Sequence, residues 1–169
     1  MSGISRVEVI GVRVEMPSNQ PIVLLRESEG ERYLPIWIGA VEATAIAFAQ
    51  QGIVPPRPLT HDLLNTVMER TGHALESVLL TEIKDGVFFA ELTLGGDLRI
   101  SARPSDAIAL ALRNSRPIFA KVELLATAGI DIPADTDSED GVGGEGAQEE
   151  TVERFREFLD QITPEDFIG

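Results

Sequence analysis

Two segments, residues 40–51 and 104–114, have helical composition and are apolar around nearly the whole cylinder. Alanine, valine, isoleucine and phenylalanine fill the first, where Glu42 is the one charge, and Ala107, Ile108, Ala109, Leu110, Ala111 and Leu112 fill the second. Such helices must be covered on more than one side. With 169 residues the chain has room for one domain with a proper core plus an appendage, and not for two ordinary domains. Both helices therefore have to be buried by the same small set of surfaces. The cover left over is expected from a second copy, in a homodimer or higher homo-oligomer.

Alternation supplies the strands. Apolar residues between positions 4 and 15 fall first on odd positions (Val7, Val9) and then on even ones (Ile10, Val12, Val14), and this phase change predicts a β-bulge at Ile10-Gly11. A turn at Pro17-Ser18-Asn19-Gln20, an apolar run over 21–25 and a polar loop over 27–31 lead to a third strand over 33–38. Pro35 cannot donate to a ladder, so it asks for an edge position or a bulge. The proline-rich residues 52–58 form a stiff connector. Thr60 reads as the N-cap of an amphipathic helix over 61–71, with Leu63, Leu64, Val67 and Met68 on one face. Residues 74–84 and 87–94 pair through Asp85-Gly86, and Gly95-Gly96-Asp97 turns into a short strand over 98–101, an antiparallel meander. Residues 117–122 form a last short strand. The fold class is α+β: an antiparallel or mixed sheet, two buried alanine-rich helices and one amphipathic helix.

Charge divides the chain. Residues 1–126 hold 12 Lys and Arg against 15 Asp and Glu, a net of −3, whereas residues 127–169 hold 2 against 13, a net of −11. The expected organisation is a folded domain over 1–126, a flexible acidic linker over 127–147, and a short amphipathic helix opening the stretch 148–169, with Val152, Phe155, Phe158, Leu159 and Ile162 on one face. A polyanionic tail of this kind could shield a neighbouring subunit or compete with nucleic acid. Cysteine is absent, which excludes disulfides, thiolate metal sites and a cysteine nucleophile. No window approaches the roughly 20 apolar residues of a membrane helix, and the first residues show no basic region followed by an apolar stretch. The expected address is the cytoplasm, with no membrane partner.

Three stretches carry a family resemblance: Leu34-Pro35-Ile36-Trp37-Ile38-Gly39 with Glu42-Ala43, then Arg57-Pro58-Leu59-Thr60-His61-Asp62-Leu63, and finally Arg103-Pro104-Ser105-Asp106-Ala107-Ile108-Ala109-Leu110-Ala111. In content and order they resemble the bifunctional nuclease domain family, across residues 5 to 126. The resemblance implies a mixed α+β fold, dimeric or larger assemblies, and the DNase and RNase activity assigned to some members. Some bacterial members also carry a C-terminal helical hairpin of the UvrB/UvrC type, which this tail does not match.

Hydrolysis of a phosphodiester needs an activated water in line with the leaving oxygen and positive charge on the developing phosphorane, often from divalent ions on carboxylates. Within the resembling stretches the candidate catalytic residues are Glu42, His61, Asp62 and Asp106. Glu42, Asp62 and Asp106 are also candidate ligands for magnesium or manganese, which favour oxygen donors. Arg57, Arg103 and Ser105 are the candidate contacts to DNA or RNA. His61 would act as general base or as a ligand, because an imidazole exchanges its proton near neutrality.

Each has a structural reading as well. Glu42, Asp62 and Asp106 stand in first helical turns, where a carboxylate gains roughly 0.3–1 kcal/mol from the helix dipole. Arg103 can pair with Asp106 at i,i+3. His73 follows a glycine helix stop, where a polar residue is ordinary. Tyr33 and Trp37 share a strand face and could stack bases, though packing is the better account of them. Two functions follow: a nuclease acting on DNA and RNA with low sequence selectivity and metal assistance, or a non-catalytic homo-oligomeric binding and regulatory domain.

Overall fold

The computed structural model describes residues 3–131. The elements in chain order are β1 (Ile4–Glu15), β2 (Gln20–Glu27), β3 (Arg32–Trp37), α1 (Ala40–Gln50), α2 (Thr60–Arg70), β4 (Leu75–Lys84), β5 (Val87–Leu94), β6 (Leu98–Ala102), α3 (Pro104–Arg113), β7 (Ile118–Lys121), α4 (Val122–Ala128) and β8 (Ile130–Asp131). The fold is α+β, and among the described residues it comprises a mixed eight-stranded sheet with four helices. The strand order is β6-β5-β4-β7-β1-β2-β3-β8. Two antiparallel meanders, β1-β2-β3 and β4-β5-β6, are joined by β7, which runs parallel to β4 and antiparallel to β1.

Several local expectations have direct counterparts. The register of β1 on β2 shifts between Val9 and Gly11, where the alternation changes phase. Asp85 and Gly86 both take positive φ, 51° and 75°, which is the geometry of a two-residue hairpin turn whose twist suits the flanking strands. Pro35 pairs with Leu24 of β2, while β8 pairs with Arg32 and Tyr33, so among the described residues the stretch holding Pro35 has β2 as its one neighbour in the sheet.

α3 is the centre of the core. Residues Ala107 to Ala111 are 0–1% exposed, and the helix is enclosed by α1, α2, β4 and β5. Cover within one chain thus suffices for the second alanine-rich helix. α1 is less enclosed: Ala43, Ala45 and Ile46 are buried, but Val41 is 78% exposed. Beneath these helices, alternate residues of the strands complete one core, among them Val7, Leu25, Leu34, Val78, Leu80, Ala90 and Leu92.

Three expectations need correction. The N-cap of α2 is Leu59, and Thr60 is its first helical residue, because the Asp62 carboxylate reaches back to the Leu59 N–H and starts the helix one position earlier. The apolar stripe of α2 buries only Met68; Leu63, Leu64 and Val67 are 56%, 43% and 48% exposed. The folded body also runs past residue 126. Residues 127–131, assigned to the acidic linker on composition, finish α4 and form β8, and α4 buries Leu124 and Leu125 in the core. The remainder of the linker and the amphipathic helix expected after residue 147 lie outside the described residues.

Candidate functional site

The three resembling stretches are far apart in sequence and meet at the N-terminal ends of α1, α2 and α3. Each of these helices opens from extended backbone and carries an acid in its first turn: Glu42, Asp62 and Asp106. At Gly39 a Cβ atom would collide with the Glu42 carboxylate, so the glycine lets that side chain fold back over its own helix start. Pro104 fits the first position of α3, where its missing N–H costs nothing.

Arg103 ties these ends together. Its Nε donates to Asp106 Oδ2 at 2.7 Å and its Nη2 donates to Glu42 Oε1 at 2.9 Å, while the side chain stays 65% exposed. The other Asp106 oxygen, Oδ1, lies 2.9 Å from His61 Nε2. Glu42, Arg103, Asp106 and His61 therefore form one continuous hydrogen-bonded chain drawn from three helices. The His61 side chain is only 12% exposed, and Asp106 is 29% exposed.

Asp62 belongs to a second network. Its Oδ2 accepts the Leu59 N–H at 2.9 Å, and its Oδ1 accepts Arg113 Nε at 2.7 Å. Arg113 Nη1 donates to the carbonyls of Ala45, at 3.0 Å, and Ala109, at 3.1 Å. One guanidinium thus clasps α1, α2 and α3. The sequence reading missed Arg113, and the signal was its position seven residues after Asp106, two turns along the same face of α3.

Asp106 and Asp62 are held ionised. Burial works to raise the Asp106 carboxyl, and the hydrogen bonds from Arg103 and His61 outweigh it, leaving the group below the ordinary carboxylate range. For Asp62, burial is again opposed by the Leu59 amide and Arg113, with the same net direction. The linkage sign follows: a carboxyl with a depressed pKa in the fold contributes stability that is complete above about pH 5 and drains as pH falls through its folded value. The melting temperature of the wild type is expected to fall more steeply between about pH 5.5 and about pH 3 than that of an Asp62→Asn, Asp106→Asn double variant, measured by thermal unfolding across that range.

The remaining candidates are placed as follows. Arg57 is exposed in the connector ahead of α2, where it can meet a ligand from solvent. Ser105, in the first turn of α3, is 6% exposed. His73 Nδ1 lies 3.1 Å from the Gly95 carbonyl, a tie between the end of α2 and the β5–β6 turn. Trp37 donates Nε1–H to Glu15 Oε2 at 3.2 Å.

Magnesium or manganese was expected on Glu42, Asp62 and Asp106. Among the described residues, no group of three or more His, Asp or Glu is arranged to hold a metal ion. Glu42 and Asp106 are both committed to Arg103, and Asp62 to Arg113, so an incoming cation would have to displace a guanidinium already in place. The donor set as arranged does not fit a divalent ion. No helix among the described residues is long and apolar enough to cross a membrane.

Comparison with known proteins points one way. The family model described as bifunctional nuclease domain matches residues 23–133. A Mycobacterium tuberculosis protein described as uncharacterized is 49% identical over 161 residues, which is 95% of this chain and 96% of the relative. Bifunctional nuclease of Oryza minuta and bifunctional nuclease 1 of Oryza sativa subsp. japonica are each 27% identical over 152 residues, 86% of this chain and 46% of those proteins. The chain therefore spans less than half the length of these rice relatives, and its likeness to the mycobacterial protein runs nearly end to end. With the matched region taking in all three converging stretches, the chain belongs to the bifunctional nuclease domain family.

Proposed function

We propose that this chain hydrolyses phosphodiester bonds of DNA and RNA with little sequence selectivity, at the joint end of α1, α2 and α3. The observation that carries the reading is the pair of His61 and Asp106, 2.9 Å apart, with Asp106 held by Arg103. An ionised Asp106 accepts the Nε2–H of His61, which leaves Nδ1 as the basic nitrogen. That nitrogen takes a proton from the attacking water as oxygen bonds to phosphorus, and the proton returns to the oxygen that leaves. Arg103, exposed beyond its two acid partners, and Arg57 supply positive charge for the phosphate. Glu42 and Asp62 act as positioning residues, one for Arg103 and the other for the start of α2. The rice relatives that are called bifunctional nucleases support the same assignment.

The test is cleavage of single-stranded DNA, duplex DNA and RNA by the full chain, beside Asp106→Asn protein purified identically, with added magnesium, manganese or EDTA. The expected result is cleavage in the wild type that survives EDTA and falls by about 10²-fold or more in Asp106→Asn, which cannot hold the imidazole in the same tautomer. Equal rates in the two proteins, or none in either, would sink the reading. Loss in EDTA with recovery in manganese would place an ion on the acids in exchange for Arg103.

A second reading has its own support. Leu63, Leu64 and Val67 line one exposed face of α2, and clustered exposed apolar residues mark interaction surfaces. In a non-catalytic homo-oligomeric binding domain this face would meet a second copy, and Arg103 would serve only to neutralise Glu42 and Asp106. Substitution of the acids would then alter stability and leave no chemical trace.

A further inference from the structure

Core residues alternate along the strands, so the residues between them make up the opposite face of the sheet. One row crosses five strands there. Arg6 of β1 pairs with Phe119 of β7, Phe119 with Leu79 of β4, Leu79 with Glu91 of β5, and Glu91 with Ser101 of β6. At about 4.8 Å per strand the row spans about 19 Å. Its last residue, Ser101, stands two positions before Arg103 of the helix-end site. In the neighbouring row Glu8 pairs with Arg26, and Arg26 with Tyr33. We infer that this face holds a single strand of nucleic acid, with phosphates on Arg6 and Arg26 and bases on the rings of Phe119 and Tyr33; that the held strand is also the substrate rests on the cleavage site proposed above.

Charge and ring placement select this occupant. Arg6, Arg13, Arg26, Lys84 and Lys121 lie on this face, and none of them forms an ion pair among the described residues. Arg103 and Arg113 at the helix ends, by contrast, are already held by carboxylates. The acids in register on the face are Glu8, Glu15, Glu82 and Glu91, and Glu91 is spent on Arg99 at 2.9 Å. The face is thus positive on balance, in a chain whose net charge is −14. Each ring also has an exposed cation as its partner across the ladder, Arg6 beside half-buried Phe119 and Arg26 beside half-buried Tyr33. Cations that follow a backbone, set beside rings on which bases stack, are the two components of single-strand binding. A duplex keeps its base faces stacked inside, and an acidic peptide has no use for the rings.

The experiment follows the fluorescence anisotropy of a labelled oligothymidylate of about 12 nucleotides, titrated with the full chain at several salt concentrations. A phosphorothioate backbone keeps the charge and resists cleavage. Saturable binding is expected in the wild type, weakened at least about tenfold in an Arg6→Glu, Arg26→Glu double variant. With alanine at both positions the slope of log affinity against log salt should shrink by about 1.4, two phosphate contacts of a single strand. Phe119→Leu keeps an apolar side chain and removes the flat ring; it should weaken binding about fivefold and leave the salt slope unchanged. Arg70→Glu, an exposed cation in the last turn of α2, should bind as the wild type does. Thermal melts on the same preparations confirm that each variant is folded. No binding by the wild type, full binding by the double variant, or an equal loss in Arg70→Glu would overturn the inference. Equal affinity for a duplex of the same length, or for polyglutamate, would overturn the single-strand assignment. Because the readout is binding, a chain that binds and does not cut removes the nuclease reading alone, and one that cuts while the double variant still binds removes this inference alone.

Discussion

Replacing His61 with alanine is expected to lower phosphodiester cleavage by about 10²- to 10⁴-fold, the usual worth of a positioned general base, while the protein stays folded. The two halves of that result have separate causes. On the chemical side, Asp106 and Arg103 have no group that can replace the imidazole at neutral pH. On the structural side, deletion of the ring leaves Asp106 Oδ2 bonded to Arg103 at 2.7 Å, and Oδ1 comes within reach of water. The stability cost should stay near about 1 kcal/mol, the net worth of one hydrogen bond. The chain has 2 histidines, and the other provides an internal control. His73 bonds a backbone carbonyl at the far end of α2, so His73→Ala should keep the wild-type rate. Initial rates on RNA and single-stranded DNA, with thermal melts on the same preparations, read out both variants. If His61→Ala cuts as fast as wild type, the site at the helix ends is not catalytic and the oligomeric binding domain becomes the better account. Equal loss in both variants would point to a structural effect shared by the two histidines.

How far the sequence foretells this site depends on whether the deciding interactions are local. The phase change at Ile10-Gly11, the Asp85-Gly86 turn and the Arg103–Asp106 pair involve neighbours in the chain, and periodicity or spacing is enough to find them. The resembling stretches likewise single out Glu42, His61 and Asp106. Their convergence is different in kind. It depends on α3 being sunk among α1, α2 and two strands, and on β7 entering parallel to β4 between the two meanders, which no local pattern encodes. The same limit explains α2. Helical spacing reveals a stripe of Leu63, Leu64 and Val67, but it cannot say whether anything lies against the stripe, and among the described residues nothing buries it. The segment 122–131 was lost for another reason. Its last residues adjoin a glycine- and acid-rich tail, so composition averaged over a window hid the pair Leu124 and Leu125 that anchors α4. Arg113 escaped because one arginine closing a helix is ordinarily explained by the dipole alone.

Arg113 therefore carries the other large expected effect, on folding. Its side chain is 10% exposed and its three bonds hold Asp62 of α2, the carbonyl of Ala45 in α1 and a carbonyl of its own helix. Arg113→Ala would leave a carboxylate and a carbonyl between packed helices without their donor. An unpaired buried acceptor costs about 1–3 kcal/mol, and breaking a buried ion pair costs about 3–5 kcal/mol. Because Asp62 is 27% exposed and can recruit water, the lower part of that span applies, about 2–4 kcal/mol in all. For a domain of this size the melting temperature should drop by about 10 °C. Arg113→Lys should recover only a fraction of the loss, since an ammonium on a flexible stem cannot bond three acceptors in the plane that a guanidinium fork imposes. Thermal unfolding of wild type and both variants at neutral pH measures these shifts. A drop of only a degree or two in Arg113→Ala would mean that the clasp behaves as an ordinary surface ion pair, and that packing around α3 alone keeps the three helix ends together. A full loss with lysine as poor as alanine would instead make the guanidinium geometry the element that sets α2, and with it His61, against Asp106.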